Sequence, residues 1–168
     1  EVQKIVAADR DVGDSFGLDV DIHGNFAVVG AYTEDEDVAG GNSLNNSGSA
    51  YIFDLDGGTW VESQKLTASD AAVDDRFGIS VSLSADRAII GAYLNDDDGS
   101  NSGAVYVFDL EDGTWVETQK LTASDAAASD QFGFSVSLMG DRACIGAPRN
   151  DDGGDESGSA YIFDLEDD

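Results

Sequence analysis

Carboxylates are the chemically able groups of this chain, and they come in a pattern. Three loops, YTEDEDVAGG, YLNDDDGSNSG and PRNDDGGDESG, crowd Asp, Glu and Asn among Gly and Ser. Calcium takes about six to eight oxygens from carboxylates, amides and backbone carbonyls on a flexible loop, and such segments supply them. The calcium candidates are therefore Asp96 and Asp98 in the second loop, with Asp151 and Asp152 in the third. A second set stands in register outside these loops: Asp9 with Asp14, Asp70 with Asp75, and Asp125 with Asp130. Turn formation competes as an explanation, because Asp, Asn, Gly and Ser also hydrogen-bond backbone groups and tolerate unusual dihedrals.

Other chemistry finds little support. Alignment of Asp96, Asp98 and Gly99 with the twelve-residue EF-hand loop puts Leu94 at the first ligand position. The single histidine, His23, falls in a turn, and the single cysteine, Cys144, aligns with Val28 and Ile89. Soft-metal sites need several Cys and His side chains. A glycosidase needs two specifically placed carboxyls, whereas these acids recur with a repeat. The expectation is a protein that is not an enzyme.

Charge narrows the partners. The 168 residues carry 35 acidic and 8 basic side chains, a formal charge of −27. Nucleic acid and anionic membrane surfaces are repelled by such a field, so neither is expected as a partner. Cations should stabilise the fold, as in proteins of saline habitats or of calcium-rich extracellular fluid. No apolar run is long enough to span a membrane, and no signal peptide opens the sequence. A secreted protein would be present as its mature or excised form.

The elements that position these groups repeat three times. Phe-Gly recurs at 16, 77 and 132, Gly-Ala at 30, 91 and 146, and Gln-Lys at 3, 64 and 119, all in one register. The first copy is longer by an insertion after Ala31. That loop alone breaks the repeat, so Glu34, Asp35, Asp37, Asn42 and Asn45 are the candidates for ligand specificity. Within a copy, FGISVSL alternates with Phe77, Ile79, Val81 and Leu83 on one face; RAIIGAY, GAVYVFDL and TWVETQKLTA follow across turns. The small Gly-Ala pairs are expected where neighbouring sheets approach closely.

Four-stranded units of this length predict an all-β fold of β-propeller blades. Residues 1–9 match a fourth strand, 10–70 form blade 1, 71–125 blade 2, and 126–168 a blade 3 without its own fourth strand. The phase offset is of the kind that closes a propeller by joining its two ends. Three blades are too few for a ring, since known rings use about 4–8. Blade completion by another copy, or by other repeats of the same protein, is therefore expected.

DRFGISVSLSADRAIIGAY, and above all DQFGFSVSLMGDRACIGAP, resemble the FG-GAP repeat of integrin-type propellers and of its secreted prokaryotic branch. The resemblance implies an extracellular or cell-surface protein of adhesion, ligand binding or assembly, with a protein or glycan as ligand. A head-to-tail filament or ring subunit, or an accessory region of a larger secreted protein, are the alternatives. The integrin-type calcium loop between FG and GAP is replaced here by a short hairpin, so that site does not carry over.

Overall fold

The computed structural model describes residues 1–35 and 44–165. Its strands form three antiparallel sheets laid in chain order. Blade 1 contains β1 (Val20–His23), β2 (Phe26–Ala31), β3 (Ser49–Asp56) and β4 (Thr59–Leu66). Blade 2 contains β5 (Phe77–Ser84), β6 (Arg87–Ala92), β7 (Ala104–Glu111) and β8 (Thr114–Leu121). Among the described residues, blade 3 has three strands: β9 (Ser135–Met139), β10 (Arg142–Ala147) and β11 (Ser159–Asp164). The expected all-β architecture is found, and among the described residues the third sheet has no fourth strand, as expected. Among the described residues, no helix is long and apolar enough to cross a membrane.

Each blade starts with a hairpin closed by two residues. Gly24, Ala85 and Gly140 occupy the first turn position with φ of 59°, 54° and 57°. Left-handed turns of this kind match the natural twist of paired strands. The alternation expected along β5 is interrupted. Phe77 pairs with Ala92, yet Ser80, three residues on, pairs with the adjacent Gly91. This irregularity leaves Ile79 half-buried and turns Ser80 inward, where its hydroxyl donates to the Gly133 carbonyl at 2.8 Å.

The core lies between blades. Val28 and Ile52 of blade 1 pack with Val81, Leu83 and Ile90 of blade 2, and Ile89 and Val107 of blade 2 pack with Leu138 and Ile145 of blade 3. First strands lie near one another, with β1 against β5 and β5 against β9. The Gly-Ala pairs mark the closest approach. A Cβ added to Gly30 would fall 2.0 Å from the Gly78 carbonyl oxygen, and one on Gly91 would fall 2.0 Å from that of Gly133.

Residues 1–9 form no strand. β4 and β8 are each zipped to the third strand of their own blade, and among the described residues no third strand lies beside residues 1–9. They are nevertheless held against blade 1 as a fourth strand is held against the next blade. The Gln3 side chain accepts from Trp60 N–H at 2.8 Å and donates to Trp60 C=O at 2.7 Å. Gln64 on β4 does the same to Trp115, at 2.8 and 2.7 Å. Ala8 N–H donates to Glu62 at 2.8 Å, as Ser69 N–H does to Glu117 at 2.8 Å.

Candidate functional site

The loops leading into the blades share one construction. Phe77 wedges edge-on between Tyr106 and Phe108, with centroids at 5.5 and 6.0 Å; Phe16 and Phe132 do likewise in their blades. The tyrosine hydroxyl then donates to the first aspartate of the in-register pair: Tyr51 to Asp9 at 2.9 Å, Tyr106 to Asp70 at 2.7 Å, and Tyr161 to Asp125 at 2.9 Å. In blades 1 and 2 a lysine from the fourth strand completes the group. Lys65 donates to Asp9 at 2.8 Å and pairs with Glu34 at 3.2 Å; Lys120 donates to Asp70 at 2.7 Å and also to Asp97.

Burial alone would raise Asp9 and Asp70. The hydrogen bonds from their lysine and tyrosine partners outweigh it and hold both carboxyls below the usual range. Burial, then the hydrogen-bonded aspartate, pushes Tyr51 and Tyr106 far up.

The second aspartate of each pair serves the backbone. Asp75 and Asp130 are 3% and 2% exposed, accept from Ala72 and Ala127 N–H, and receive the amides of Asn95 and Asn150. Burial raises Asp75. Asp14 accepts from Asp11 N–H at 2.5 Å. In the loops after Gly-Ala, Asp96 caps Asn101 N–H at 2.6 Å and Asp151 caps Glu156 N–H at 2.9 Å, while Asp98 and Asp152 are exposed.

Of the residues expected to contact a ligand, Glu34 is buried and accepts from the Ser49 hydroxyl at 2.6 Å. Asp35 caps Asn46 N–H at 2.7 Å, and Asn45 is exposed. Asp37 and Asn42 lie outside the described residues. Among the described residues, no three His, Cys, Asp or Glu side chains converge as a metal would require. Of the carboxylates expected to hold calcium, Asp75, Asp96, Asp130 and Asp151 accept from backbone N–H groups and Asp70 from Lys120.

The profile of the FG-GAP repeat matches residues 1–53, 60–108 and 115–163, almost the whole chain. The chain belongs to the FG-GAP repeat family. No curated protein matches it closely enough to name as a relative. Each matched segment runs from a fourth-strand sequence through the third strand of the following sheet, so the FG-GAP repeat straddles two blades.

Among the described residues, no strand lies beside the outer edge of β11. Ile162 is 63% exposed, whereas its counterparts Ile52 and Val107 are 0% and 1% exposed beneath neighbours. Cys144 is exposed where Val28 and Ile89 are buried. A cavity of about 860 Å³ opens between β8 and the end of β11, lined by Arg87, Gln119, Asp164 and Leu165. In the preceding junction the corresponding space holds Trp115, which packs edge-on to Phe26 at 5.5 Å. At the other end, Val20 and Ile22 are 59% and 62% exposed, while the equivalent Val81 and Leu83 are 4%.

The lysines and Gln64 were not singled out as functional by the sequence reading. Their signal was there, since all three lysines of the chain follow a glutamine in one register.

Proposed function

We propose that this chain is a non-catalytic β-propeller segment that works by association outside the cell or at its surface, the outer edge of β11 being covered by a strand from further repeats of the same protein or from another copy. The open edge of β11 carries this reading: Ile162 and Cys144 are exposed where every counterpart is covered. Exposed apolar surface bounded by polar loops marks a contact surface, and an unpaired strand edge is a ready template for β-addition. Caps such as Asp96 and Asp151 and ion-pair partners such as Asp9 and Asp70 suit assembly or adhesion better than catalysis. The setting follows from the family, whose repeats are characteristic of surface and secreted proteins.

Light scattering on the purified chain tests the reading. Mass should rise with protein concentration and with salt that screens the −27 charge. A chain that stays monomeric at every concentration and salt level would overturn it.

A further inference from the structure

We propose that Asn45 is the acceptor of an N-linked glycan, attached before blade 1 closes on blade 2. The inference rests on the surface or secreted setting proposed above and adds a modification site to it.

The sequence singles this residue out. Among the asparagines of the chain, only Asn45 has a hydroxyl residue two positions on with no proline between, in Asn45-Asn46-Ser47. That spacing is what an oligosaccharide transferase reads, and it belongs in a surface loop of an exported protein. The other copies do not carry it, since Ser100 and Asp155 stand at the position of Asn45. The site is thus peculiar to blade 1 and no by-product of the repeat.

The fold leaves the acceptor amide unengaged while using everything around it. Asn45 is exposed, and its carboxamide makes no hydrogen bond among the described residues. The Asn46 carboxamide, by contrast, donates to Asp74 at 2.8 Å and accepts from Arg76 at 3.1 Å. The main chain is occupied too. The carbonyls of Asn45, Asn46 and Ser47 accept from the N–H groups of Asp74, Arg76 and Phe77 at 2.9, 3.2 and 2.8 Å. This short ladder ties blade 1 to the segment that enters blade 2. A sugar on the exposed Asn45 side chain leaves the ladder intact.

The order of events follows from the same ladder. A transferase must engage the serine hydroxyl of an extended chain, and in the folded protein Ser47 is fully buried. Transfer therefore precedes closure. In the step itself, Nδ2 of Asn45 attacks the anomeric carbon of a lipid-pyrophosphate-linked oligosaccharide. The N–C bond forms and the C–O bond to pyrophosphate breaks. The lipid pyrophosphate leaves with the electron pair, and one amide proton passes to the transferase.

Peptide mass spectrometry on the protein from its native cells tests the site. An oligosaccharide should be found on Asn45, and amidase release in heavy-oxygen water should leave a labelled aspartate there. Asn45→Gln should lose that mass and keep the unfolding midpoint of unmodified wild type, because the side chain it replaces holds nothing. Exported protein with a bare Asn45 would overturn the inference and leave the surface reading standing. Protein kept inside the cell with a bare Asn45 would overturn both. The order is tested by offering transferase and lipid-linked donor to the unmodified full chain. Folded wild type should resist. Gly30→Ala, whose methyl would lie 2.0 Å from the Gly78 carbonyl oxygen and so part the two blades, should accept about tenfold faster or more, following its larger open population. Equal rates for the two would overturn the stated order.

Discussion

The Nζ of Lys120 lies 2.7 Å from Oδ2 of Asp70, joining the last strand of blade 2 to the loop that leads into its first strand. Hydrogen bonds from Lys120 and Tyr106 keep the folded-state Asp70 carboxyl below its unfolded value despite burial. Its contribution to stability is thus complete above the ordinary carboxylate range and disappears as pH falls through the depressed value. Lys120→Met should cost up to about 1 kcal/mol at neutral pH, the range of partly exposed pairs. The difference from wild type should shrink as pH falls below the ordinary carboxylate range and vanish once Asp70 is protonated in both states. Urea titrations across that pH range check it.

Gly91→Ala should be among the most damaging single changes. Its methyl would lie 2.0 Å from the Gly133 carbonyl oxygen, a backbone atom that moves only if the two blades part. A cost of about 3 kcal/mol or more is expected, read as a lowered denaturant midpoint. A loss below about 1 kcal/mol would show that the blades can slide past one another at small cost.

Ala85→Gly should stabilise the protein. Ala85 holds φ at 54° in a turn where the other two copies carry Gly24 and Gly140. A side chain in the left-handed region costs about 1–2 kcal/mol, offset in part by the greater unfolded-state freedom of glycine. A net gain of about 0.5 kcal/mol should appear in thermal or chemical unfolding.

Phe132→Ala should unfold blade 3 preferentially. Phe132 is fully buried and packs on Tyr161 and Phe163 at 5.4 and 5.9 Å. Truncation of such a ring costs about 3–5 kcal/mol. Hydrogen exchange should show lost protection in residues 135–164 before residues 20–66, with blade 1 little changed.

Salt should raise the melting temperature, since a net charge of −27 repels itself over a Debye length of about 10 Å at 0.1 M and about 3 Å at 1 M. Calcium and magnesium at equal ionic strength should act alike, because no three carboxylates converge among the described residues. A melting temperature raised by calcium alone would reveal a specific site.

The blades were legible because their marks are local and repeated. Phe-Gly, Gly-Ala and the two-residue turns each act within a few residues or at a fixed register, so one chain displays them three times. The roles of Gln64 and Lys120 were not legible, since their partners Trp115 and Asp70 stand 51 and 50 residues away. Nor does composition separate an ion ligand from a cap. Asp96 and Asp151 have the residue type and setting of calcium ligands, yet each closes a turn onto a backbone N–H five residues on. The segment 1–9 has the sequence of a fourth strand yet forms no strand, which pattern alone does not disclose.

The bond from tyrosine to aspartate at the head of each blade has a mechanical consequence. It ties the chain just before the first strand to the third strand of the same sheet, at Tyr51–Asp9, Tyr106–Asp70 and Tyr161–Asp125. A pull along the polypeptide would strain these knots one after another, so the protein should yield in discrete steps under tension rather than unravel all at once.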